Sequence, residues 1–194
     1  MKKTLLASAL LLAAAPAFAG NFNYTYIEGG YGEVDASYND FDVDGDALFL
    51  GGSVDLQKGF GIIGSFYTID FDEDIDGTIF TVGGQFHTPI SSQADFVGSI
   101  QLINAEVEYD GRYGYDDSAD DTGLLLRGGI RFAIQQNLQL EGDISYIDND
   151  FWDDDELGLK AGLRFFFNRQ FSLAGGFASD QELDGLYISG RFDL

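Results

Sequence analysis

The feature that most constrains this chain is an alternation of apolar residues with polar residues or glycine at period two, repeated from residue 21 to the end. Successive side chains of a strand point to opposite faces, so each run reads as a strand with one apolar face. The apolar sets are Leu48-Leu50-Gly52-Val54-Leu56, Phe60-Ile62-Gly64-Phe66, Phe80-Val82-Gly84-Phe86 and Phe96-Gly98-Ile100-Leu102. They continue as Leu124-Leu126-Gly128-Ile130-Phe132, Leu138-Leu140-Gly142-Ile144-Tyr146 and Leu157-Leu159-Ala161-Leu163-Phe165, then Phe171-Leu173-Gly175-Phe177 and Leu186-Ile188-Gly190-Phe192-Leu194. With an opening strand from about Tyr24 to Glu33, ten strands are expected, eight being the alternative count. No window sustains a helical period, and 26 glycines with 15% aromatics suit short aromatic-rich strands.

The connections alternate in character. Segments 33–46, 70–76, 106–121, 148–156 and 180–184 hold 27 of the 33 acidic residues, with Arg112 as their only base. The intervening turns, such as Gln57-Lys58-Gly59 and Ala133 to Asn137, are mostly shorter. An even number of antiparallel strands with long loops at one end and short turns at the other is the layout of a transmembrane β-barrel, which would leave both termini on the short-turn, periplasmic side.

Alternation alone does not say whether the apolar face meets lipid or a dry interior, so a soluble β-protein is weighed beside the membrane barrel. The opposite face carries Asp55, Ser65, Gln85, Ser99, Gln101, Arg127, Arg131, Glu141, Asp143, Lys160, Arg164, Ser189 and Arg191. Such a mixture of both signs suits a lumen better than a solvated surface. Phe60, Phe86, Phe96, Phe132, Phe165, Phe171 and Phe192 sit on the apolar face next to a short turn or the C-terminus, as an interfacial girdle would. Glycine or alanine recurs mid-strand on this face, where it can make room for a neighbouring ring.

Residues 1–19 form a secretory address. Lys2 and Lys3, the apolar run Leu5 to Leu12 and Ala17-Phe18-Ala19 give the three regions of a signal peptide, with cleavage expected after Ala19 and the barrel domain spanning 20–194. A net charge of −23 repels a phosphate backbone and argues against nucleic-acid binding. The absence of cysteine removes disulfides, thiol nucleophiles and lipid-acceptor sites.

The stretch Tyr24-Thr25-Tyr26-Ile27-Glu28-Gly29-Gly30-Tyr31 and the hairpins from Gly128 to Leu138 and from Phe165 to Gly176 resemble the small outer-membrane β-barrel proteins of Gram-negative bacteria, including a family of surface barrels with a proposed plant-immunity elicitor. The C-terminal Phe192-Asp193-Leu194 is similar to the signal read by the outer-membrane assembly machinery, with leucine where an aromatic residue is usual.

Catalytic candidates are weak. The only histidine, His87, lies on the lumen parity beside a short turn, and no Ser/His/Asp set converges, so no enzyme activity and no cofactor are expected. Asp40-Phe41-Asp42-Val43-Asp44-Gly45 and Asp72-Glu73-Asp74-Ile75-Asp76-Gly77 spell the front half of a calcium loop, but the twelfth positions are Gly51 and Gly83 instead of a bidentate Glu. Specific Ca²⁺ ligation by Asp40, Asp42, Asp44, Asp72, Asp74 and Asp76, or a diffuse cation-binding rim, are the two readings. The charges Arg127, Arg131, Glu141, Asp143, Lys160 and Arg164 share one parity on consecutive strands and are expected to pair across the lumen and block flow. The expected function is a non-enzymatic structural or surface-interaction barrel, its partners being outer-membrane lipid, lipopolysaccharide and divalent cations. The alternatives are a narrow cation-preferring, porin-like channel and a soluble secreted β-protein.

Overall fold

The computed structural model describes residues 22–38, 41–57, 59–71, 75–110, 116–148, 156–179 and 183–194; the expected signal peptide lies outside them. Ten strands follow in order: β1 (Tyr26–Tyr38), β2 (Phe41–Gln57), β3 (Phe60–Phe71), β4 (Ile75–Pro89), β5 (Ala94–Asp110), β6 (Asp116–Gln135), β7 (Leu138–Asp148), β8 (Glu156–Phe166), β9 (Phe171–Ser179) and β10 (Leu183–Asp193). Each is antiparallel to its neighbours, and β1 pairs with both β2 and β10, closing the barrel. Closure leaves no strand edge with unpaired N–H and C=O groups. At the short-turn end Gly59 adopts φ 80°, a left-handed conformation that costs glycine little, and lets β2 reverse into β3.

The apolar sets all lie on the outside. Leu50, Ile62, Ile100, Ile144 and Ile188 are each at least 50% exposed, on five different strands around the wall, too much apolar surface for contact with water. Phe86 and Phe96 pack with ring centroids 5.6 Å apart near the short-turn end. Higher up, the polarity of the two faces inverts. At the level of Glu33 on β1, the outward residues on neighbouring strands are Asp46, Asp70, Asp76 and Glu108, directly paired from strand to strand and all exposed. Near this level most inward residues are apolar, with Ala47, Ile69, Ile103, Ala105 and Leu125 all buried, and Asp121, the partner of Ala105, stands among them.

The strands therefore run further than the sequence reading expected. Many acids assigned to loops lie on strand extensions, because the pairing continues for as long as inward apolar residues give it a core to bury. At the other end the structure begins the first strand at Tyr26, and Tyr24 lies before it.

Tyr187 occupies the inside. Gly162 on β8 and Gly176 on β9 are direct partners, and both face its ring. A Cβ at position 176 would clash with the Ala161 carbonyl oxygen and stand 2.9 Å from the Tyr187 ring. At Gly84, on the outer face, a Cβ would meet nothing within 4 Å. Gly176→Ala should therefore lower stability by about 1–3 kcal/mol through overpacking, while Gly84→Ala stays within ~0.5 kcal/mol of wild type, in equilibrium urea unfolding.

Candidate functional site: a filled lumen

The lumen is filled in layers, and the lowest is a stopper made by the chain itself. Residues 22–25 enter the short-turn mouth, where the Tyr24 side chain is only 3% exposed. Its hydroxyl donates to Asp95 at 2.9 Å and its ring stacks on His87 with centroids 3.6 Å apart. The Arg131 guanidinium lies 4.5 Å from the centre of the Tyr24 ring and donates to the Asn23 carbonyl at 3.2 Å; Arg191 donates to the same oxygen. Ser53 donates to the Tyr24 carbonyl, and the Leu194 amide to that of Thr25, so the segment ties both chain ends and β2 together. Burial raises the Tyr24 phenol above its ordinary range, with the Asp95 bond acting in the same sense and Arg131 opposing it. The phenol thus remains a donor at neutral pH.

Above the stopper, β1, β7, β8 and β10 build a charge network. Arg164, 2% exposed, reaches across the lumen to Glu28 at 2.7 Å and to Glu141 at 2.9 Å. Glu28 also accepts from Ser189, and Glu141 from Gln139. Arg191 pairs with Asp193 at 2.8 Å and stands 3.8 Å from Glu141. The facing wall carries neutral groups instead, joined Ser65 to Thr81, Thr81 to Gln101 and Gln101 to Ser99. Hydrogen bonds thus satisfy most of the polar groups that the outward apolar face forces inward, with Arg127 Nε an exception.

Of the six charges expected to pair, the structure brings Glu141 and Arg164 into direct contact. Arg127, Arg131, Lys160 and Asp143 line the same cavity of roughly 160 Å³ but make no direct ion pair among the described residues. Lys160 lies instead 4.3 Å from the centre of the Tyr187 ring and 5.7 Å from that of Phe49, a cation–π arrangement. Glu28, Asp193 and Arg191, which are not among the six expected residues, complete the network. Their signal was strand parity combined with closure, which makes the first strand a neighbour of the last.

His87 binds Asp55 through Nε2 at 3.1 Å and stacks on Tyr24, a packing role. Asp44 and Asp76 sit exposed on the outer face of β2 and β4, and Gly45 and Gly77, which a calcium loop would use for its turn, lie inside paired strands. Asp40, Asp72 and Asp74 fall outside the described residues, as does the side chain of Asp42.

A family model described as outer membrane protein beta-barrel domain matches residues 4–165. The chain belongs to this outer-membrane β-barrel family. No curated protein sequence matches it significantly. Among solved structures, neisserial surface protein A is 11% identical with a TM-score of 0.51, covering 87% of this chain and 96% of its own. The β domain of the Bordetella autotransporter BrkA is 10% identical with a TM-score of 0.53, covering 88% of this chain and 99% of its own. The translocator domain of the autotransporter NalP from Neisseria meningitidis is 6% identical with a TM-score of 0.51, covering 100% of this chain and 94% of its own. These likenesses extend to the fold. An outer-membrane barrel belongs in the Gram-negative outer membrane, so the exposed apolar belt faces lipid, and the soluble alternative is set aside.

In this barrel Arg164 neutralises two carboxylates away from bulk water. Arg164→Met should cost about 3 kcal/mol by leaving the half-buried Glu28 without a counter-charge and Glu141 with Arg191 alone, and adding Glu28→Gln and Glu141→Gln should recover part of the loss. Urea unfolding of the refolded protein in lipid vesicles measures both effects.

Proposed function

We propose that this protein is a non-enzymatic surface barrel, closed to steady ion flow, that presents its acidic end to the outside and its termini to the periplasm. The observation that carries this reading is the polarity inversion. Toward the acidic end the lumen is lined mainly by apolar side chains, Leu125, Ile103, Ala105 and Ile69, with the single carboxylate Asp121 among the described inward residues there, while the outer wall bears the carboxylate row. An ion travelling through would cross an apolar constriction, which gates by excluding water, before reaching the charge network and the stopper.

The runner-up is a narrow cation-preferring channel, favoured by the acidic surface, which concentrates cations near the mouth. The apolar inner face and the ion-paired network below it support closure over conduction. Planar-bilayer recordings of the wild-type protein are expected to show no large steady conductance; long-lived uniform steps would put the channel reading first.

The surface role follows from the carboxylates. Glu33, Asp46, Asp70, Asp76 and Glu108 lie opposite one another just above the lipid-facing belt, and like charges facing across strands repel unless counterions gather. Divalent cations shared between this row and the phosphates of lipopolysaccharide would remove the repulsion and anchor the barrel in its leaflet. This is the diffuse version of cation binding; the specific calcium loops would require turns where Gly45 and Gly77 lie in strands. Millimolar Mg²⁺ or Ca²⁺ should raise the unfolding midpoint in lipopolysaccharide-containing vesicles. Asp46→Asn with Asp70→Asn and Asp76→Asn should remove that rise, and a midpoint indifferent to divalents in the wild type would count against the role.

A further inference from the structure

The charge balance of the mid-lumen cavity is uneven. Four cations, Arg127, Arg131, Lys160 and Arg164, line the mid-lumen cavity against three carboxylates, Glu28, Glu141 and Asp143. Arg164 is bonded to both Glu28 and Glu141, which leaves Asp143 as the remaining lining carboxylate for the other three cations. Arg131 is directed to the stopper, where the Asn23 carbonyl and the Tyr24 ring receive it. Arg127 and Lys160 remain. Arg127 is bonded to the Tyr67 hydroxyl and its Nε is buried with no hydrogen-bond partner. Lys160 rests against ring faces, which attract a cation without neutralising it.

Arg127 and Lys160 are half-buried, so water hydrates them only in part. The buried Leu125 and Ile103 side chains stand on one side of this layer, and the Tyr24 stopper closes the other. Arg127 and Lys160 share the single carboxylate Asp143, the direct cross-strand partner of Lys160, and the one positive charge left over in a partly dehydrated lumen favours an anion beside them.

We propose that the mid-lumen cavity binds one small monovalent anion, a halide or a short carboxylate, between Arg127 and Lys160. The size of the space limits the class, since roughly 160 Å³ takes a hydrated halide or an acetate-sized molecule, well below the volumes typical of sites for larger organic ligands. The acidic outer surface does not oppose this. Its charges face solvent, where ordinary salt screens them within about 8 Å, so they slow the entry of the anion and act little on its bound state. The inference stands apart from closure, because a conducting barrel would still carry the same cation excess.

The test is the unfolding midpoint of the vesicle-refolded protein in sodium chloride, bromide, acetate or gluconate at equal ionic strength. Chloride and bromide should raise the midpoint saturably above its value in gluconate, whose anion is too bulky for the cavity. A rise in acetate as well marks a site open to carboxylates, and a rise with halides alone marks a halide site. Arg127→Gln and Lys160→Gln should each abolish the anion dependence, with Arg127→Lys as the charge-retaining variant should the glutamine form fail to fold. Crystals grown in bromide should show an anomalous peak between the two side chains. Midpoints equal in all four salts, a dependence that survives in the folded variants, or bromide peaks confined to the outer surface would each overturn the proposal.

Discussion

A strand that crosses hydrocarbon must turn an apolar side chain outward at every second residue, and the rest of this molecule follows from that requirement. The outward places are taken by residues such as Leu50, Ile62 and Ile100, so the polar residues alternating with them have only the lumen to occupy. Ten strands enclose a narrow space. Charges forced into it must be paired, and Arg164 does this by spanning from β8 to Glu28 on β1 and Glu141 on β7. Beyond the hydrocarbon the requirement lapses, and the strands exchange their faces. The apolar side then closes around Leu125 and Ala105 while the carboxylate row faces solvent, with Asp121 alone turned inward beside Ala105 among the described residues of this layer, so one barrel is membrane-like below and resembles a soluble β-barrel above.

This arrangement explains how a strongly acidic protein can keep its acids out of the membrane. In β2, Asp46 and Leu48 are neighbours of the same parity, two residues apart on the outer face, and the boundary between solvent and lipid falls between them. The same transition runs from Asp76 to Phe80 on β4 and from Glu108 to Leu102 on β5. Asn104 and Thr122, which share a hydrogen bond across β5 and β6, occupy the intermediate level. The acidic row and the apolar belt are thus successive stretches of the same outward face.

Strand number, strand order and the direction of the apolar face were legible because a period-two pattern survives whatever the strands pack against. The strand ends were less so: acids such as Asp44 and Asp76 read as loop, since a one-dimensional pattern does not reveal that inward neighbours such as Ile69 and Ala47 continue a core. Pairing in the lumen was legible only within consecutive strands. Glu28 and Arg164 are 136 positions apart and meet because the barrel closes, while Lys160 takes ring faces that come from β2 and β10. The stopper at Tyr24 left little trace, because a tyrosine two places before a strand looks like the strand's own beginning.

The central claim is that the outer wall passes from lipid to water between the apolar belt and the carboxylate row. The chain contains no cysteine, so single cysteines introduced at Asp46, Leu48, Leu50, Asp70 and Phe66 can each carry one fluorophore. Quenching by brominated lipids in vesicles measures the depth of each. Labels at Leu48, Leu50 and Phe66 should be quenched by the lipid and shielded from aqueous iodide, and those at Asp46 and Asp70 should show the reverse. Lipid quenching at Asp46 and Asp70 equal to that at Leu50, or free access of iodide to all five positions, would contradict the account.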